Sequence, residues 1–259
     1  MNKVNVLGFG VMGKQIVSLL SLLGYEVTVW SMNRPNLNEL VLIKDKLRDR
    51  LKCNEKEILI CECIEDLDDN LTIEALVENL DVKKSIYTQL KNKITKGYYT
   101  NTSSYSPREI GDEIGVLHFF NPIRMKFIEY LPSCADSKSK DLVCNLEDNG
   151  FLVARVKQNR CFIGNFILFH EFSAYFKLLE KYGYNYGELD KVMCKLYGDR
   201  DILKIMDIIG IDVTLKIMEN IKEDEHEFFV PKLLKDAIDH KILGYKNKTS
   251  IKDFLSNIL

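Results

Sequence analysis

A chain of 259 residues with 46% hydrophobic and 29% charged residues can bury a sizeable core, as one large domain or two modest ones, and a disordered protein is excluded. Its 36 basic and 38 acidic residues are mixed along the chain for a net charge of -2, so no basic stripe points to nucleic acid or an anionic membrane. No apolar run reaches the length of a membrane span, and seven cysteines without C-x-x-C spacing and four scattered histidines offer zinc no ligand set, so a cytoplasmic protein with reduced thiols is expected.

The first element is an apolar strand over residues 3–7, followed by Gly8, Gly10 and Gly13. Beyond the glycines, Ile16, Leu19, Leu20 and Leu23 recur at helix spacing, Gly24 stops the pattern and a second strand covers 26–30. A bare G-x-G-x-x-G is weak, because glycine turns are common. Between a strand and a helix it predicts a dinucleotide-binding turn: Gly8 allows the tight turn, Gly10 lets a pyrophosphate approach, and Gly13 lets helix pack on strand.

An acidic residue would usually follow at the end of the second strand to take the ribose 2'-hydroxyl. Ser31 stands there, with Asn33 and Arg34 after it. Those groups suit a 2'-phosphate, so NAD and NADP remain equally open, with a solvated Arg34 as the alternative.

Next come a helix in "PNLNELVLIKDKLRDRL", a strand in "EILIC", and then a strand, a turn at Glu78-Asn79 and a helix in "LTIEALVENLDVKKSIYTQLKNKI". "GYYTNTSS" and "GVLHFF" are further strands, separated by a helix starting at "SPREI". This alternation predicts a parallel sheet with helices on both faces and ligands at the carboxyl ends of the strands, where Gly8, Ser31, Glu78, Asn101 and His118 fall. From about residue 160 the pattern is helical throughout. The expectation is an α/β Rossmann-like domain over 1–159 and an all-α substrate and dimerisation domain over 160–259.

"GFGVMG", "EALVENLDVKK" at 74–84, "NTSS" at 101–104, "HFFNP" at 118–122 and "CFIGN" at 161–165, in this order, resemble the L-3-hydroxyacyl-CoA dehydrogenases, as do "GELDKVM" and "MDIIGIDV" in the helical half. The resemblance implies a nicotinamide-dependent oxidoreductase that interconverts a 3-hydroxyacyl-CoA, of short chain, and its 3-keto form; the broad apolar stripes of the carboxyl-terminal helices point to a homodimer through them, with a monomer of one thick core as the alternative. The resemblance implies His118 as general base and acid oriented by Glu129, and Ser103, Asn121 and Asn165 at the substrate. It also implies a cofactor site of Gly8, Gly10, Met12, Gly13, Ser31, Arg34, Glu78, Lys83 and Asn101. Histidine suits that role, since its unperturbed pKa serves both directions near neutrality.

The chain departs from the family pattern in four places, one of them the carboxyl end, where "ILGYKNKTSIKDFLSNIL" lacks a glycine-rich aromatic finish and "GDRD" at 198–201 replaces "MGP". One residue fewer separates His118 from Glu129, which predicts a displaced glutamate. Residues 33–57 form a shorter segment, which favours the alternative of a free hydroxy acid or sugar acid as substrate. Arg160-Cys161 replaces a proline-glycine. A catalytically silent dinucleotide-binding protein is the remaining alternative.

Overall fold

The computed structural model describes residues 2–134, 139–198 and 200–258. The chain divides into two compact units, residues 1–162 and 163–259.

The first unit is built on one sheet. β1 (Lys3–Leu7) leads into α1 (Val11–Leu22), β2 (Glu26–Trp30), a short 3-10 turn and α2 (Val41–Arg48). β3 (Ile58–Cys61), β4 (Leu71–Glu74), α3 (Leu80–Leu90), β5 (Tyr98–Thr100), α4 (Pro107–Ile110) and β6 (Gly115–Phe119) follow, and β7 (Phe127–Leu131), α5 (Ser139–Asp148) and β8 (Leu152–Arg155) complete it. The sheet order is β3-β2-β1-β4-β5-β6-β7-β8. Chain order reverses at β1, flanked by β2 and β4, which opens a crevice at the carboxyl ends of β1 and β4.

Strand alternation gives the sheet two covered faces. Val4 and Val6 pack with Ile16, Leu19 and Leu20 of α1 on one side. Leu7 packs with Tyr87 and Leu90 of α3 and Ile110 of α4 on the other. Each such aliphatic side chain contributes about 1.5–3 kcal/mol on full burial.

The sheet is not parallel throughout. β6 and β7 pair antiparallel, and β8 runs parallel to β7. Residues 120–126, which connect β6 to β7, are too short for a crossover, since a parallel return needs a dozen residues or more. The sequence reading passes over α5 and β8. Their apolar content is brief, and Leu152 at the start of β8 is exposed.

The second unit is helical: α6 (Gly164–Glu180), α7 (Tyr186–Tyr197), α8 (Ile202–Ile209), α9 (Ile211–Asp224), α10 (Lys232–Asp239) and α11 (Ile251–Ile258). Residues 200–221, expected as one helix, are two, because Gly210 takes a φ of +100° between them. His170 ties α6 to the end of α9, its Nε2 lying 3.0 Å from the Glu225 carboxylate. No helix among the described residues is long and apolar enough to cross a membrane.

Candidate active site

Gly8 has a φ of +105°, and a Cβ there would collide with the carbonyl of Ala75. Gly13 is equally constrained, because a Cβ would strike the Gly8 carbonyl where α1 leans on the turn. Around Gly10, by contrast, a Cβ would meet nothing within 4 Å. The turn is closed behind the backbone and open in front of it, at the amino end of α1. That is the shape a dinucleotide pyrophosphate needs, and the residues present fit one.

A cavity of about 580 Å³ extends from this turn and is lined by Gly8, Gly10, Ser31, Asn33, Arg34, Leu76 and Val82, among others. Met12 does not face it; its side chain packs against the core. Arg34 is 78% exposed at its side chain and stands 3.4 Å from Glu62. Lys14 and Glu39, which also line the cavity, form an ion pair.

Beside this cavity lies a buried charged network that the sequence reading caught in part. Glu78 and Lys83 were expected near the cofactor; Glu74 was not. Glu74 ends β4 with no exposure, and Lys83, 1% exposed on α3, places its Nζ 3.1 and 3.2 Å from the two Glu74 oxygens and 3.4 Å from Glu78 Oε2. The Thr100 hydroxyl donates to Glu74 and the Thr102 hydroxyl to Glu78. Asn79 caps α3 by accepting from Val82 N, which fixes the turn that carries Glu78. A carboxylate closing the apolar strand "LTIE" nine positions before a lysine is the signal that could have revealed Glu74.

The second constellation sits at the end of β6. His118 and Glu129 face each other in the antiparallel register of β6 and β7, and His118 Nδ1 lies 2.7 Å from Glu129 Oε2. The expected displacement of Glu129 does not occur. A hairpin sets its register by direct pairing, so the 3-10 turn at Ile123–Met125 and left-handed Lys126 (φ +53°) take up the missing residue without moving the strand. His118 is 8% exposed and Glu129 is fully buried, so the pair is sheltered from competing water. The imidazole also packs against Phe120 and Phe162, with ring centroids 4.6 and 5.9 Å away.

Two neighbouring asparagines hold this corner. Asn101 is buried, and its Oδ1 accepts from Phe119 N at 2.9 Å, which fixes the backbone beside His118. Asn121 is exposed, and its Oδ1 accepts from Gln15 Nε2 at 3.0 Å, while Gln15 Oε1 accepts from Ile123 N at 2.8 Å. Thus α1 holds the turn after His118. Nothing in the periodicity of α1 marks Gln15 for this role. Ser103 is buried in the loop after β5, and its carbonyl accepts from Cys161 N at 2.6 Å. Asn165 lies in the first turn of α6, half-buried, in the second unit.

Near the carboxyl edge of one sheet there are therefore a dinucleotide-shaped turn, a fixed charged network and a histidine whose Nδ1 is committed to a buried carboxylate. Such an edge can bind a cofactor, order a substrate and exchange a proton.

Comparison with known proteins agrees. Residues 3–141 match the family profile described as "3-hydroxyacyl-CoA dehydrogenase, NAD binding domain", and residues 162–253 match "3-hydroxyacyl-CoA dehydrogenase, C-terminal domain". The chain is 28% identical to 3-hydroxybutyryl-CoA dehydrogenase of Clostridioides difficile, over 97% of this chain and 99% of that protein. It is 26% identical to a probable 3-hydroxyacyl-CoA dehydrogenase of Caenorhabditis elegans, over 83% and 82%. Among solved structures, Mycobacterium tuberculosis FadB2 superposes with a TM-score of 0.82 at 23% identity, covering 97% of this chain and 98% of that one. At that identity the superposition speaks for the fold. The profile that spans more than half of the sequence decides the rest: the chain belongs to the 3-hydroxyacyl-CoA dehydrogenase family of nicotinamide-dependent oxidoreductases.

Proposed function

We propose that this protein interconverts a short-chain 3-hydroxyacyl-CoA and its 3-ketoacyl-CoA, with His118 moving the hydroxyl proton. The single observation that carries the reading is the buried 2.7 Å contact between His118 Nδ1 and Glu129 at the sheet edge that also bears the glycine turn. With Nδ1–H donated to the carboxylate, Nε2 is the basic nitrogen. It takes the proton of the 3-hydroxyl on oxidation and returns it to the ketone oxygen on reduction, while Glu129 stabilises the imidazolium formed between these events. When bound, the nicotinamide dinucleotide accepts or supplies the hydride at the substrate carbon. Ser103 and Asn165 hold the substrate oxygens, Asn121 orders the turn beside the imidazole, and Lys83 and Glu78 meet the ribose nearest the nicotinamide.

CoA is favoured over a free hydroxy acid by a groove of about 410 Å³ between α1, α2 and the β6–β7 turn. Val11, Ile43, Leu47 and Pro122 give it an apolar wall, and Lys14, Lys46 and Arg124 add cations, which suits a pantetheine arm ending in phosphates. The short segment 33–57 retains this wall.

NADP(H) is proposed to serve at least as well as NAD(H). Ser31, Asn33 and the exposed Arg34 line the cavity where an acidic residue would repel a 2'-phosphate, and Glu39 is already engaged by Lys14. The domain assignments belong to the same proposal: residues 1–159 hold the dinucleotide, and 160–259 are a helical substrate and dimerisation domain. Helix α7 exposes Val192 and Leu196 one turn apart, an apolar stripe suited to a second copy. Free thiols support a cytoplasmic location.

The test is the loss of reduced-cofactor absorbance with acetoacetyl-CoA, supplied with NADH and NADPH in turn. No turnover with either, while cofactor still binds, removes the reading. Arg34→Ala should lower the NADPH rate by about 10-fold and leave the NADH rate within twofold; equal losses would refute the 2'-phosphate assignment. A single monomeric species in sedimentation at micromolar concentration would refute the pairing.

A further inference from the structure

Residues 160–162 end the first unit, and two of them adopt an unusual backbone. Cys161 has a φ of +62° and Phe162 a φ of +46°, and both are almost fully buried. Two successive side-chain-bearing residues in the left-handed region persist only where their surroundings over-determine them, and such strain gathers at functional sites.

The surroundings here are specific. Arg160 binds Glu109 in a two-pronged contact, Nε to Oε2 at 3.0 Å and Nη2 to Oε1 at 2.7 Å. Glu109 is itself anchored, accepting from Ser106 N at 2.7 Å at the start of α4, and the Ser106 hydroxyl donates to the Gln158 carbonyl at 3.3 Å. Immediately after the arginine, Cys161 N donates to the Ser103 carbonyl at 2.6 Å. The next residue places its ring 5.9 Å from the His118 ring, which also packs on Phe120 at 4.6 Å and contacts Glu129. One ion pair outside the sheet edge thus leads, within three residues, to the loop of Ser103 and to a ring against the imidazole.

We propose that the Arg160–Glu109 pair is a positioning device for the His118 site: it holds residues 161–162 in the left-handed backbone, and through them sets the Phe162 ring and the Ser103 loop. Neither residue of the pair touches substrate. Breaking the fork lets Cys161 relax toward negative φ, which withdraws Phe162 from the imidazole and slackens the Ser103 carbonyl contact. This inference rests on the assignment of His118 as the proton carrier, and the experiment separates the two.

The full chain is assayed with acetoacetyl-CoA at saturating NADPH as wild type, Arg160→Ala, Glu109→Gln, Arg160→Ala/Cys161→Gly and His118→Ala, with cofactor affinity read by fluorescence and kcat followed against pH. Arg160→Ala and Glu109→Gln should each lower kcat by about 10-fold, leave the cofactor Kd within twofold, and shift the pH midpoint of kcat. Glycine tolerates the left-handed backbone without the pair, so Cys161→Gly should recover part of the loss in Arg160→Ala. Glu109→Gln retains an acceptor for the Ser106 cap and gives the answer even where Arg160→Ala folds poorly. Wild-type kcat and pH midpoint in Glu109→Gln, with His118→Ala inactive, would overturn this inference and leave the proton carrier standing. Reduced thermal stability with unchanged kcat and pH midpoint would also overturn it. Wild-type turnover in His118→Ala would overturn the assignment of the proton carrier, and this inference with it.

Discussion

Two buried carboxylate pairs stand at the same edge of the sheet, and they differ in one respect. Glu74 and Lys83 close the cofactor side with 0% and 1% exposure, and Glu129 and His118 close the other with 0% and 8%. Each shelters a carboxylate that would be costly to bury alone. Their partners behave differently. An ammonium has donors only, whereas an imidazole that donates through one ring nitrogen keeps a lone pair on the other, so the first pair is suited to fix geometry and the second to exchange a proton. What separates the two pairs is the partner of the buried carboxylate, a lysine in one and an imidazole in the other.

The comparison breaks most sharply at His118. In His118→Ala, kcat should fall by about 10³-fold while cofactor Kd stays within twofold, as stopped-flow rates and fluorescence titration would report. A loss of cofactor affinity of the same size would make the two pairs equivalent and end the distinction.

Lys83→Met should act on the fold instead. It strands Glu74 without its cation, at a cost of about 3–5 kcal/mol measured by urea unfolding. Replacing both, as Glu74→Gln/Lys83→Met, should restore most of that stability but not the cofactor affinity. Full recovery of both would deny Lys83 any part in binding.

Glu129→Gln sharpens the contrast from the other side. The amide oxygen still accepts Nδ1–H, so the geometry survives, but the charge that stabilises the imidazolium is gone. An acceptance of about 10–100-fold lower kcat is expected, with the kinetic midpoint moved to lower pH. An unchanged pH profile would place Glu129 among the structural groups.

The smallest expected effect belongs to a third pair. The Arg160 guanidinium, opposed by partial burial, holds the Glu109 carboxyl below its ordinary range. A carboxylate whose pKa is depressed in the folded state stabilises the fold above its unfolded pKa, and that contribution is lost as pH falls through the folded value. The difference in melting temperature between wild type and Glu109→Gln should therefore be full above the ordinary carboxylate range and fade as the pH falls below it. A constant difference across that range would remove the ionic contribution.

Much of this was legible before the fold was known. Strand boundaries at 3–7 and 26–30 coincide with β1 and β2, because apolar runs bounded by glycine have few other solutions. The turn at Gly8, Gly10 and Gly13 was legible as a motif between strand and helix: Gly8 and Gly13 have no room for a Cβ, and Gly10 leaves the space in front of the turn open. Glu74 was in view at the end of "LTIE", nine positions before Lys83, but only the packing of α3 against β4 shows that the two meet. Gln15 and Arg160 were hidden, because their partners Asn121 and Glu109 lie far away in sequence.

The sequence by itself determined the class of protein, the order of its elements and the residue types available for chemistry, all of which rest on local periodicity and on motifs read in line. Only the tertiary structure decided that β7 returns antiparallel, and with it that Glu129 meets His118 despite a connection one residue short. Counting along the chain measures distance between residues, whereas hydrogen bonds between strands determine which residues face each other; a turn can absorb a deletion that the register does not feel.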